Sequence, residues 1–359
     1  MENYQSEYTV LGVMSGSSLD GVDIALCRFL KTNGWSFFIL RAVTISYPDE
    51  WIQKLKGATK LPGFELTGLN VEYGHYLGGI INQFLSGGND KTDFISSHGH
   101  TIFHQPEQRF TLQIGDGASL AAETGLTVVC DFRSGDVALG GQGAPLVPIG
   151  DRILFSEYDY CVNIGGIANI SFEENNQRIA FDICPANQLL NKLCEGHNPD
   201  FDKDGLSARA GNISTELLNR LNEFSYYNSR TAGPKSLGNE HIAECFFPLL
   251  SSSAVSQEDK LRTCTEHIVE KISETINHGN SSVQKVLLTG GGAFNKFLVE
   301  VLKEKTHHEI ILPSEEIIKF KEALVFAFLG VLRMRNEINI LKSVTGASRD
   351  SVGGATFTP

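Results

Sequence analysis

The chain has 359 residues, 41% apolar and 20% charged, which is the composition of a globular protein with room for two cores. Acidic side chains outnumber basic ones 42 to 30, for a formal net charge of −12, and that balance argues against nucleic acid or an anionic membrane as the main partner. It does not argue against a phosphate ligand, because backbone N–H groups bind phosphate without net positive charge. Glycine, at 36 residues, exceeds average usage of ~7% and falls in clusters, the pattern of ligand loops. The seven cysteines (27, 130, 161, 184, 194, 245 and 264) have no C-x-x-C spacing, and we expect buried free thiols in a reducing cytoplasm. The start, MENYQSEYTV, lacks the basic and apolar regions of a signal peptide, and no apolar run reaches membrane-spanning length.

In chain order, Tyr8 to Val13 reads as a strand, MSGSSLDG as a loop and Val22 to Leu30 as a second strand. Residues 65–86 have helical apolar spacing. Phe94 to Ser97 is a short strand entering the polar loop SHGHT, and Leu126 to Phe132 is a buried strand. RSGDVALGGQGAPLVP, which follows, is too long and glycine-rich for an ordinary turn, and such loops are usually functional. YCVNIGGIANISF repeats the strand, glycine loop, strand pattern of the N-terminus, so the chain reads as a duplicated α/β fold with a cleft between its lobes. Residues 213–223 and 258–278 are helical, KVLL is a buried strand leading into TGGGAFN and a helix, and residues 322–335 form an apolar helix.

Several loops have the residue types that chemistry needs. A buried strand entering Gly290, Gly291 and Gly292 and then a helix lets a phosphate approach the backbone at a helix N-terminus, although the spacing is neither that of a P-loop nor G-x-G-x-x-G. The alternative is a tight strand-to-helix turn. SGSSLDGVD, from Ser15 to Asp23, offers hydroxyls and glycines for phosphate and the carboxylates of Asp20 and Asp23 for a metal environment; it also reads as a hairpin turn with Asp20-Gly21 as the turn dipeptide. Asp182 ends a strand in FDICPAN, as a general base or a turn residue. His98, His100 and His104 have no acidic or cysteine ligand beside them, and no metal site is read there. Arg133 follows a strand and suits an anionic ligand.

Two matched hairpins, a late triple-glycine loop and an acidic residue after the second hairpin together resemble the ATPases of the actin, hexokinase and heat-shock chaperone superfamily. The expected fold is α/β: two duplicated actin-like (ribonuclease H-like) lobes flanking an interdomain cleft. The first lobe would hold residues 1–155 and the second residues 156–359, the final helix packing back on the first. More specifically, LGVMSGSSLDGVDIAL, SHGHTIFHQP, the long block from TLQIGDG to GAPLVP, NIGGIANIS, FDKDG, GPKSLG, LLTGGGAFN, EALVFAFLG and VTGA follow the order of the anhydro-N-acetylmuramic acid kinases, from about Leu11 to about Ala347.

That resemblance implies an enzyme of cell-wall turnover that opens 1,6-anhydro-N-acetylmuramic acid with water and transfers the γ-phosphoryl of ATP to O6. Asp182 would activate the water, and Glu322 would assist at the catalytic centre. Gly16, Ser17, Ser18, Asp20, Gly21 and Asp23 would hold the phosphates and the Mg²⁺ environment, with Gly165, Gly166, Gly290, Gly291 and Gly292 near the nucleotide. Thr101, Arg133, Gln142 and Asn187 would hold the sugar, Arg133 through its lactyl carboxylate. The resemblance also implies a cytoplasmic homodimer. The chain departs from the family pattern at Ser17, His100, Cys184, Ala186, Asn191 and Leu237, and those departures leave two other readings open: a nucleotide-binding paralogue without the reaction, or a kinase for a different amino sugar.

Overall fold

A computed structural model of the chain describes residues 4–16, 19–196, 199–228, 235–278 and 282–359. They form two compact units: residues 1–154 with 320–359, and residues 155–319. The second hairpin therefore opens its own unit, and the last forty residues belong with the first.

Unit 1 begins with three antiparallel strands, β1 (Glu7–Ser15), β2 (Val22–Lys31) and β3 (Trp35–Ile45). β1 pairs with β2 from Glu7↔Leu30 to Ser15↔Val22, and buried side chains on both faces of β1 account for its unbroken apolar run. The helix Gly63–Ser86 leads to β4 (Phe94–Ser97), which lies parallel to β1. A separate ribbon of β5 (His100–Gln105) and β6 (Phe110–Ile114) follows. β7 (Val128–Cys130) is parallel to β4. The strand expected over 126–132 is shorter than that, because Asp131 turns into the left-handed region at φ 55°.

Unit 2 repeats the arrangement. β8 (Tyr160–Ile164), β9 (Ile167–Glu174) and β10 (Gln177–Pro185) form an antiparallel meander, and β11 (Lys285–Thr289) and β12 (Glu309–Ile311) add parallel strands beside β8. β13 (Ala355–Phe357) is antiparallel to β7 and completes the first sheet. The sheet orders are β3-β2-β1-β4-β7-β13 and β10-β9-β8-β11-β12. Apart from the edge strand β13, both read third, second, first, fourth, fifth, with the same strand directions. The duplication read from two glycine hairpins thus extends to whole sheets.

Each unit has its own core. In unit 1, Leu11, Val13, Ile24 and Leu26 pack with Tyr73, Leu77 and Ile81 of the long helix. In unit 2, Val162, Ile170, Val286 and Leu288 pack with Ile268, Val269 and Ile272 of the helix Gln257–Ile276. The helix read over 322–335 spans Glu315–Met334, its polar first turns EEIIKFK preceding the apolar stretch. From Lys321 to Leu332 nearly every residue is buried. It lies close on the first sheet: the Ser96 hydroxyl donates to the Phe326 carbonyl at 2.5 Å, and a Cβ at Gly12 would stand 3.0 Å from Ala327 Cβ. Among the described residues no helix is long and apolar enough to cross a membrane. None of the seven cysteines is in a disulfide; six are buried and Cys245 is half-buried.

Candidate functional site

The expected site residues fall into two groups, one in each unit. In unit 1, β1 and β2 run into the first glycine loop. Gly16, Asp20 and Gly21 are described; Ser17 and Ser18 lie outside the described residues. A side chain at Gly21 would meet the Ile45 backbone of β3, so the loop must pass there as glycine. Asp23 faces Thr44 across the sheet and accepts a hydrogen bond from its hydroxyl at 2.6 Å. Burial raises the Asp23 carboxyl above its ordinary value; Thr44 opposes the shift, and the charge of Asp20 adds to it. Asp20 and Asp23, two carboxylates that repel each other, fit a hard divalent cation, which would relieve that repulsion.

Behind this loop is a buried polar knot. Ser15 Oγ lies 2.6 Å from the Tyr47 hydroxyl and 3.0 Å from His100 Nδ1, and accepts from the Tyr73 hydroxyl at 2.9 Å. Burial lowers the His100 imidazole to about 4, so it is neutral at pH 7. The end of β1 is thereby tied to β5, to Tyr47 after β3 and to Tyr73 of the long helix.

Next to His100, Thr101 is half-buried and accepts from Gln113 Nε2 at 3.3 Å. Arg133 stands at the start of the glycine-rich stretch, which contains the short helix Ser134–Ala138 and left-handed turns at Gly140 and Gly143. Its Nε and Nη2 contact His98 Nε2 at 3.0 and 2.8 Å, and its Nη1 donates to the Gly143 carbonyl at 2.6 Å. Gly143 N–H donates in turn to the fully buried Asp136 carboxylate at 2.7 Å, whose other oxygen accepts from Thr345 Oγ1 at 2.7 Å. Gln142 is tied by its backbone to the Thr345 carbonyl, and its side chain is exposed. The VTGA segment near the C-terminus thus braces the loop that carries Arg133 and Gln142. Burial lowers Arg133 to about 10, with the charges of Glu322 and Asp136 opposing the shift, so it remains cationic at pH 7.

Glu322 is held by the helix that seats on Gly12, and its neighbour Lys321 forms a buried 2.7 Å ion pair with Asp151. Its carboxyl is raised, mainly by the surrounding protein, with Asp23 adding and Arg133 opposing. Glu322 nonetheless keeps open surface, so its charged form is better solvated than burial alone implies, and the more telling feature is that both a guanidinium and a carboxylate act on its charge.

In unit 2 the register aligns four polar residues in one row: Asp182 opposite Asn169, Asn169 opposite Asn163, and Asn163 opposite Thr289. Residues paired in this way share a face of the sheet. The row lies at the end where the β8–β9 turn, Gly165 and Gly166, meets the loop after β11. β10 does not stop at Asp182 but continues to Pro185 past a bulge between Asp182 and Cys184. Asp182 Oδ2 accepts from Leu237 N–H at 2.8 Å and from the Ser236 hydroxyl at 3.2 Å; Oδ1 accepts none among the described residues. Burial raises the Asp182 carboxyl, and these two donors hold it back.

Asn187 donates its backbone N–H to the Gly165 carbonyl at 3.1 Å and its Nδ2 to the Ile164 carbonyl at 3.2 Å, which brings it to the triple-glycine loop. Gly290 has φ 81°, and a Cβ there would stand 2.7 Å from both Asn163 Oδ1 and the Ile164 carbonyl carbon, so only glycine fits. The helix expected after TGGGAFN begins at Lys296, directly after that segment. A 3₁₀ turn, Gly291–Phe294, lies within it, and Asn295 caps the helix Lys296–Lys305 by accepting from Leu298 N–H.

Sequence reasoning did not single out Ser15, Tyr47, Tyr73, Asp136 or Thr345 as supporting residues. Their bonds to one another join positions 26 to 209 residues apart, and no local pattern marks them.

A family model described as "Anhydro-N-acetylmuramic acid kinase" matches residues 8–359. Among curated proteins, the anhydro-N-acetylmuramic acid kinase of Hydrogenovibrio crunogenus is 35% identical over 97% of this chain and 98% of its own length. Those of Francisella tularensis subsp. novicida and Vibrio cholerae are 33% and 34% identical, covering 98% and 97% of this chain and 100% and 98% of their own. Matched by the family model along nearly its whole length, and by relatives that share a third of its residues end to end, this chain belongs to the anhydro-N-acetylmuramic acid kinase family.

Proposed function

We propose that this chain converts 1,6-anhydro-N-acetylmuramic acid and water to N-acetylmuramic acid 6-phosphate at the expense of ATP, in the recycling of peptidoglycan. Water adds to C1, the C1–O6 bond breaks, and O6 takes the γ-phosphoryl group as its bond to the β-phosphate oxygen breaks, leaving ADP. Asp182 accepts the proton of the attacking water. The observation that carries this reading is the asymmetry of that carboxylate: Oδ2 is pinned by two donors while Oδ1 is left to accept a proton. Burial raises its basicity.

Arg133 binds the lactyl carboxylate, Thr101, Gln142 and Asn187 bind sugar hydroxyl and amide groups, and Glu322 orients the reacting oxygens. Gly16, Ser17, Ser18 and Gly21 hold phosphate oxygens through backbone and hydroxyl groups; Gly165, Gly166 and Gly290 to Gly292 pass close to the nucleotide. Asp20 and Asp23 are the residues that would hold Mg²⁺, which when bound would supply charge neutralisation for the phosphates. The family likeness further implies a homodimer acting in the cytoplasm.

The test is coupled ADP release with purified protein, ATP, Mg²⁺ and the anhydro sugar, with the product identified by mass. ADP release that requires the sugar and gains both water and phosphate supports the proposal. Release without sugar, or none, overturns it.

A further inference from the structure

Arg133 has five N–H bonds, and three are committed. Nε and Nη2 each donate to His98 Nε2, and Nη1 donates to the Gly143 carbonyl. One N–H remains on each of Nη1 and Nη2, and those two nitrogens match the spacing of carboxylate oxygens. The acceptor that occupies the other edge is itself immobilised. His98 Nδ1–H donates to the Gly99 carbonyl at 2.8 Å, so Nε2 carries a lone pair rather than a proton. Its backbone N–H donates to the Val13 carbonyl of β1 at 2.9 Å, and its ring stands edge-on to Phe326 at 4.7 Å between centroids. Burial and the charge of Arg133 both hold the ring neutral.

We propose that His98 is a positioning residue that selects for a carboxylate on the substrate by occupying one edge of Arg133 and presenting the other as a two-pronged donor. This rests on the reading of Arg133 as the ligand of the lactyl carboxylate, and it adds a determinant that does not touch the sugar. Without an acceptor at Nε2, the guanidinium loses the bonds to Nε and Nη2 and rotates about Gly143. Carboxylate and neutral ligands then become more nearly equal.

The probes are 1,6-anhydro-N-acetylmuramic acid and its lactyl methyl amide, with dissociation constants measured by calorimetry on the full chain alongside that for ATP. His98→Phe keeps a ring against Phe326 and removes the acceptor; His98→Gln restores an acceptor oxygen. The wild type should prefer the acid about tenfold or more, the range of charge-assisted hydrogen bonds. His98→Phe should lose most of that preference, His98→Gln should recover part of it, and ATP affinity should stay constant in both. A folded His98→Phe protein with the full preference overturns the proposal, as does a weakening of ATP as large as that of the acid. If His98→Phe does not fold, His98→Gln decides, and loss of the preference there also overturns it. A wild type that binds the sugar without preferring acid over amide overturns the Arg133 reading instead, and a wild type that does not bind the sugar overturns the function.

Discussion

Gly12→Ala tests whether catalysis depends on where the sheet seats the helix bearing Glu322. A Cβ on Gly12 would stand 2.9 Å from the Ala323 carbonyl carbon and 3.0 Å from Ala327 Cβ, with the Ala323 oxygen nearer still. Carbon atoms rest at about 3.5–4.0 Å, so helix or strand must retreat by about 1 Å. Both neighbours are helix backbone or a Cβ, which no rotamer change can clear. Overpacking of this kind costs about 1–3 kcal/mol, which for a domain of this size lowers the melting temperature by roughly 2–12 °C. Glu322 precedes Ala323 and moves with it, and a displacement of about 1 Å can reduce turnover by about 10²-fold. The assays are sugar-dependent ADP release and thermal melting, with Gly34→Ala as the control because nothing lies within 4 Å of its Cβ position. Wild-type melting in Gly12→Ala would refute the packing argument. A lowered melting temperature with unchanged turnover would refute the link between helix seating and Glu322.

The carboxylate of Asp182 must be ionised to accept a proton, and burial raises its pKa, so kcat/KM falls as pH drops through a value above the ordinary 3.8. Ser236→Ala removes a donor to the ionised form and should move that acid limb to higher pH; a limb that stays fixed or moves down refutes the assignment. Asp182→Asn keeps an oxygen for Leu237 N–H, so it should fold while losing about 10²–10⁴-fold in turnover. Thr345→Val removes a hydrogen bond to buried Asp136, a loss of about 1–3 kcal/mol, and loosens Gly143. It should lower the melting temperature and raise KM for the sugar but not for ATP.

What the sequence made legible, and what it hid, divides along a physical line. β1, β2, β8 and β9 show as apolar runs bracketing glycine loops, and β4 is read to the residue, because buried strands carry their signal locally. The ribbon of β5 and β6 is hidden in the sequence because its polar, half-exposed residues, HTIFHQ and FTLQI, resemble a loop. The sequence ends this strand at Asp182, yet pairing resumes after the bulge at Cys184↔Ala168 and Pro185↔Ile167. Thr101, Arg133 and Glu322 lie on or beside β5, the glycine-rich stretch and the apolar helix, whereas Asp182 lies inside β10 rather than at its end. What braces them was not legible: Asp136 meets Thr345, and Ser15 meets Tyr47, Tyr73 and His100, through contacts that exist only once the sheets have formed.

The departures from the family pattern are easier to weigh with these contacts known. Ala186 has φ −128°, so this backbone does not need a glycine in the left-handed region there. Cys184, Ala186 and Leu237 are all buried in the same apolar cluster of unit 2, where the two side chains that replace glycines fill core volume rather than ligand space. Leu237 reaches Asp182 through its backbone N–H, a bond any residue other than proline can make. His100 uses Nδ1 to hold Ser15. Asn191 is exposed on the helix Asn187–Cys194. Ser17 lies outside the described residues. A site whose base is anchored by a main-chain donor tolerates changes of side chain around it better than one anchored by side chains alone. The altered FDICPAN segment therefore changes what packs behind Asp182, not what holds it, and on that ground the active kinase is favoured over the paralogue without the reaction.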